Sequence, residues 1–218
     1  MNQRHLINRK ARIGLVGIIS AAVAAGATLT GAPAQAADRT HHSGNRSLAQ
    51  VLAMDKGFDQ NWQDFDILEK AVTTVLAAKP DSPVAVLADG RTRLTAFIPT
   101  DRAFRRLASE LAGRRLQTER GTFRAIAGAA DVDTIEAILL YHVLPGVTAG
   151  SRKVVRMDGA RLTMANGGTV TIRVRPSGVR LADQDPDARN ADVIAVDVNK
   201  GNKQIAHVIN RVLRPVDL

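Results

Sequence analysis

Leu94-Thr95-Ala96-Phe97-Ile98-Pro99-Thr100-Asp101-Arg102-Ala103-Phe104 carries three local signals in succession. Leu94 to Ile98 has the composition of a strand, and Pro99 brings no N–H to a sheet ladder, so the strand stops there. Thr100 offers an oxygen to the unpaired amides of a helix start, and Asp101 suits the positive end of the helix dipole. Phe104, Leu107, Ala108 and Leu111 then recur at helical spacing. Strand, cap and helix are therefore expected as one unit, and the rest of the chain is read outward from it.

Upstream, Leu48 to Met54 is a short helical candidate, and a stronger one opens at Asp66 and is ended by Lys79-Pro80. Asp66 is expected to cap it, with Glu69 reaching back, while Ile67, Leu68, Ala71, Val72, Val75 and Leu76 share a face. Pro83 to Arg93 reads as a loop or short hairpin. Downstream, Glu119 to Ala127 is a weaker helix, and Asp133-Thr134-Ile135-Glu136 is a capping box whose helix exits at Tyr141-His142. After Pro145-Gly146 the pattern turns to alternation. Short strands are expected at Val154–Met157, Arg161–Met164, Thr169–Arg175 and Val179–Ala182, divided by Asp-Gly, Asn-Gly-Gly and Pro-Ser-Gly turns. Val193–Val198 and Ile205–Leu213 add two more. Helices early and strands late predict an α+β domain, a helical layer from the N-terminal half on a mixed, mostly antiparallel sheet from the C-terminal half.

Three segments in order carry a family resemblance: the opening Leu94–Phe104 stretch, Leu140-Tyr141-His142-Val143-Leu144-Pro145-Gly146, and Ile205-Ala206-His207-Val208-Ile209-Asn210-Arg211-Val212-Leu213-Arg214-Pro215. Together, over residues 48–218, they resemble the signatures of the fasciclin-like (FAS1) domain family. Val84–Arg93, the long Leu111–Asp133 link and Asn202-Lys203-Gln204 depart from the family pattern. The resemblance implies a FAS1-like fold and a non-enzymatic binding or adhesion module of cell surfaces and extracellular matrices. It also implies binding roles near the Tyr-His segment and at an Asp-Ile pair; the matching positions here are Tyr141, His142 and Asp192, with Val193 in place of Ile.

The start of the chain reads as an address. Arg4, Arg9, Lys10 and Arg12 precede an uncharged apolar run from Ile13 to about Leu29, and Ala34-Gln35-Ala36 offers small residues for cleavage. Residues 1–36 are thus expected to be a signal peptide, 37–47 a flexible leader, and the product secreted without stable membrane insertion. Cleavage would take 36 of 218 residues and four of the cations, leaving 182 residues and reducing the net charge from +9 to +5. Cysteine is absent, which excludes disulfides, thiol nucleophiles and Cys-ligated zinc. Aromatic residues are only 3%, so Ala, Val, Ile and Leu must build the core.

Several residues invite sharper readings. His142 and His207 are the only histidines in the expected core, where a metal or acid–base pair is the sharper reading; His142, His207 or the Asp183–Asp187 carboxylates would serve the alternative of a cell-wall or polysaccharide hydrolase. Buried imidazoles bonded to backbone are the competing explanation. Asp183-Gln184-Asp185-Pro186-Asp187 alternates like a calcium loop but lacks the Gly and Glu that complete one, and is expected to be a solvated acidic turn. Arg102, Arg105, Arg106, Arg114 and Arg115 concentrate charge that could meet an anionic wall polymer or lipid. Nucleic acid is disfavoured by export and by the lack of interleaved aromatics. Nucleophile elbows, His-Glu-x-x-His and phosphate loops are all absent, and no cofactor is called for. The expected partner is a surface protein, a polysaccharide or an anionic wall polymer.

Overall fold

The computed structural model describes residues 43–55 and 57–216. The expected signal peptide and positions 37–42 of the leader lie outside them. The elements are α1 (Leu48–Leu52), α2 (Asp66–Ala78), a 3-10 helix (Pro83–Ala88), β1 (Leu94–Pro99), α3 (Asp101–Leu111), α4 (Glu119–Ala129), α5 (Val132–Tyr141), β2 (Val143–Pro145) and α6 (Ser151–Val155). β3 (Arg161–Thr163), β4 (Thr169–Arg175), β5 (Gly178–Ala182), β6 (Ala191–Val198) and β7 (Gln204–Ile209) complete the fold. The strands form one mixed sheet in the order β2-β1-β7-β6-β5-β4-β3. This is the expected α+β class, with the first strand taken into the sheet between the edge strand β2 and β7.

β1 and β7 run parallel, from Leu94 opposite Gln204 to Pro99 opposite Ile209. Every residue of both strands is buried. Their alternate side chains enter different cores: Leu94, Ala96, Ile98, Ala206 and Val208 join the cluster under α2, α3 and α5. Phe97 and Ile209 join Tyr141, Leu144, Val170, Ile172, Leu181 and Leu213 on the other side. Burial on both faces is why these two strands read as unbroken apolar runs, whereas β4 alternates.

Thr100 caps α3 as expected, its Oγ1 accepting the Ala103 N–H at 3.3 Å. The other caps differ. α2 receives none from Asp66; the carboxylate of Asp101 accepts the Ile67 N–H at 3.0 Å, so the second helix is capped by the start of the third. α5 begins two residues earlier than its expected box, with Asp131 accepting the Thr134 N–H at 2.8 Å. Pro83–Ala88 is a 3-10 helix capped by Ser82 rather than a hairpin. Val154–Met157 is not a strand but the end of α6 and the turn after it. Its β-branched pair is overruled by Asp197, whose two carboxylate oxygens accept the N–H and Oγ–H of Ser151 at 2.7 and 2.8 Å and so start a helix.

Positions 44–47 of the expected leader are docked. Gly44 N–H donates to Gly201 O at 2.7 Å, and Arg46 N–H donates to Asn202 Oδ1 at 3.0 Å. Ser47 is buried and forms a capping box with Gln50. Gln204 secures the neighbouring segment: its Nε2 donates to Val86 O and Asp89 O at 2.7 and 2.8 Å, and its Oε1 accepts from Leu48 N–H at 2.8 Å. Two of the departures from the family pattern are therefore one feature, since Asn202 and Gln204 hold the N-terminal segment and the 84–89 turn. Gly90 is required here, because a Cβ would lie 1.7 Å from Asn45 O. Gly90→Ala is expected to cost about 2 kcal/mol in urea unfolding. Gly128→Ala, where a Cβ meets open space on α4, should instead stabilise by up to about 1 kcal/mol. Equal effects of the two would refute the docking.

Candidate functional site

The Tyr-His segment is internal. Tyr141 is fully buried and its hydroxyl donates to Thr169 O at 2.6 Å. A Cβ on Gly168 would touch its ring at 2.8 Å, so the β3–β4 turn closes tightly over it. His142 is 5% exposed. Its Nδ1 faces Ile138 O at 2.7 Å, and its Nε2 accepts the Leu213 N–H at 2.9 Å. A carbonyl can only accept, so the proton sits on Nδ1 and both nitrogens are used. His207, 1% exposed, places Nε2 2.8 Å from Ala149 O, while Nδ1 faces the Asp197 N–H at 3.5 Å. Neither ring offers a free lone pair to a substrate or metal. The hydrolase built on these histidines loses its reactive groups, and the binding role expected for Tyr141 and His142 has no side chain at the surface to carry it.

In the Asp183–Asp187 loop, Asp183 and Asp185 are engaged with the chain around Arg214. Asp185 is buried rather than solvated, its Oδ1 accepting the Asp187 and Ala188 amides at 3.0 and 2.9 Å and its Oδ2 meeting Arg214 at 3.2 Å. Asp183 Oδ2 accepts the Arg214 N–H at 2.9 Å. The acidic turn latches the segment after β7 through Asp183 and Asp185.

Asp192 and part of the arginine group do meet. Arg102 and Arg106, one turn apart, project from the face of α3 opposite Phe104 and Leu107, and both are exposed. Because β1 pairs with β7, this face reaches the residues just after β7: the Arg106 guanidinium donates to Asn210 O at 2.7 Å. Two adjoining depressions, of about 410 and 400 Å³, share Arg106 and Asn210. The first is lined by Trp62, Phe65, Arg102, Ile194 and Val208, the second by Arg180, Arg189, Arg211 and Asp192. Partial burial lowers the Arg106 pKa, and the like charges of Arg211, Arg102 and Arg189 lower it further. Asp192 is bound to Arg180 at 2.6 Å and accepts from Asn210 Nδ2 at 3.4 Å; the Arg180 guanidinium holds its carboxyl below the usual range. Irregular register in β6 turns Ile194 outward at 55% exposure beside this groove.

Arg105 instead lies over the Trp62 ring at 4.0 Å, and Arg114 and Arg115 stand exposed in the α3–α4 link, outside both depressions. Arg180, Arg189, Arg211 and Trp62 are the lining residues that sequence reasoning missed. Arg189, three residues before Asp192, and Arg211, inside the closing segment, carried a faint signal; Trp62 and Arg180 carried none.

Burial in apolar surroundings lowers the His142 pKa to about 4, against the opposing pull of the Ile138 carbonyl. The unfolded imidazole takes its proton near pH 6.5, so acidification from there toward pH 4 favours unfolding. The stability advantage of wild type over His142→Gln should shrink by about 3 kcal/mol over that interval, measured by urea denaturation at each pH. A constant difference would contradict the buried neutral imidazole.

Among the described residues, no helix is long and apolar enough to cross a membrane. No curated protein matches the sequence. A solved structure of a FAS1 domain pair from the insect cell adhesion molecule fasciclin I matches with a TM-score of 0.44 and 20% identity, over 66% of this chain and 44% of that one. The chain thus spans less than half the length of that pair. The Fasciclin domain profile matches residues 69–215, which include all three signature segments, and the chain belongs to the Fasciclin domain family.

Proposed function

We propose that this protein is an exported, non-enzymatic binding module that holds an acidic polysaccharide of the cell surface or extracellular matrix in the groove around Arg106. The observation that carries the reading is the meeting of Arg102, Arg106, Arg189 and Arg211 with an apolar flank of Trp62, Phe65 and Ile194. Cations supply long-range attraction for a polyanion, and the apolar side suits the C–H faces of sugar rings better than bare phosphate chains. Asp192 belongs to this groove and orients Arg180 within it. Membership of a family of binding modules supports the non-catalytic part, as do two histidines whose nitrogens are occupied. Export is supported by the charged, apolar and small-residue regions of positions 1–36.

The test is calorimetric titration of the protein with polygalacturonate oligomers, with dextran as the neutral control. Binding should weaken steeply as salt rises from about 0.05 to 0.3 M, because exposed charges are screened over roughly 10 Å or less at these strengths. Arg102→Glu with Arg189→Glu, both exposed and on either side of Arg106, should lower affinity at least tenfold, about 1.4 kcal/mol or more. Salt-independent binding, or affinity unchanged by both reversals, would overturn the groove. New reducing ends during the incubation would overturn the non-enzymatic part.

A further inference from the structure

Beneath the segments that line the first depression, the N-termini of three helices deliver carboxylates to one place. Asp66 opens α2, Asp101 opens α3 and Glu119 opens α4, while Asp59 and Asp64 come from the segment before α2. Oxygens of Asp64, Asp101 and Glu119 lie within 4.8 Å of one another, and so do those of Asp59, Asp64 and Asp66, the two groups sharing Asp64. The inner group is buried: Asp64, Asp101 and Glu119 are 8%, 0% and 2% exposed. Both oxygens of Asp64, Asp66 and Glu119 and the Oδ2 of Asp101 have no hydrogen-bond partner outside the carboxyls themselves.

Capping explains Asp101 Oδ1, which holds the Ile67 amide, and a hydrogen bond between the Asp101 and Asp64 carboxyls shares one proton that a cation would have to displace. Even with that shared proton, buried carboxylate oxygens of Asp64, Asp66 and Glu119 keep too few donors, a large cost because each loses water without full replacement. Converging negative charges add repulsion to that cost. The positive ends of three helix dipoles favour ionised carboxylates nearby but supply only a fraction of a charge each. A divalent cation supplies what is missing. The donors are oxygen alone, with no His or Cys, which selects a hard ion. Calcium accepts six to eight oxygens at about 2.3–2.6 Å with adaptable geometry, so its ligands stand up to about 5 Å apart. Magnesium retains several waters, for which a buried carboxylate triad is a poor host.

We propose that Asp64, Asp101 and Glu119, extended through Asp64 to Asp66 and Asp59, form a calcium site that ties the starts of α2, α3 and α4 together. The site shares no lining side chain with the polysaccharide groove, so calcium binding and polysaccharide binding are read by separate measurements. Calcium chloride titrated into the chelator-treated full-length chain should give saturable heat at a stoichiometry of one or two, with magnesium at least about tenfold weaker. Millimolar calcium should raise the midpoint of thermal unfolding by several degrees.

Glu119→Gln and Asp64→Asn should weaken calcium binding at least about tenfold and abolish the thermal shift. In chelator both variants should be at least as stable as wild type, because each removes a repelling charge. That crossover separates a site from a merely structural residue, whose loss would destabilise with or without calcium. Identical wild-type unfolding in calcium and in chelator without saturable heat, or variants that keep the calcium response, would overturn the proposal. If neither variant folds, Asp59→Asn at the exposed edge decides: reduced calcium affinity supports the site, and unchanged affinity counts against it.

Discussion

The parallel pairing of β1 with β7 is the constraint on which the molecule depends. It joins segments more than a hundred residues apart in the chain, and it fixes what stands at the carboxyl ends of both strands. Phe97 N–H donates to His142 O at 2.9 Å and Thr100 N–H to Ile209 O at 3.3 Å, so the Tyr-His segment and the start of α3 are referenced to the same two strands. With Thr100 fixed, α3 can leave the sheet in one direction, which sets Arg106 against Asn210 and Asp101 against the start of α2. One register therefore positions the cationic groove and the buried carboxylates alike.

α3 shows how a single helix serves both. Asp101, Phe104, Leu107 and Ala108 turn inward at helical spacing, and Arg102 and Arg106 turn outward one turn apart. Outward guanidinium groups stay hydrated and available to a polyanion at little cost. An inward carboxylate has no such freedom and must find a donor or a cation. The same sequence of alternating charge thus produces a binding surface on one side and an electrostatic demand on the other.

Much of this was legible locally. The Thr100 cap, the helix through Leu111, the meander of β3 to β5 and the burial of both histidines follow from spacing and composition. What was not legible depends on partners distant in sequence. Asp66 looked like its own cap, but Asp101 arrives from thirty-five residues away and takes the Ile67 amide. Val154-Val155 looked like strand until Asp197, 46 residues on from Ser151, supplied a helix start. Ser47 looked like leader because its burial depends on Asn202 and Gln204 holding the residues beside it. The groove was half visible: Arg102 and Arg106 stood in an obvious run, whereas Arg180, Arg189 and Arg211 are isolated in sequence and become neighbours only across β5, β6 and β7.

Backbone amide shift mapping by NMR, with an acidic oligosaccharide added stepwise, tests the central claim most directly. The account predicts that perturbed amides cluster at the first turns of α3, at residues 188–192 and at 210–211, and that the Trp62 indole N–H moves with them. Saturable binding whose shifts fall on the β3–β4 turn or the α4–α5 surface, leaving Arg106, Arg189 and Asn210 unmoved, would contradict it.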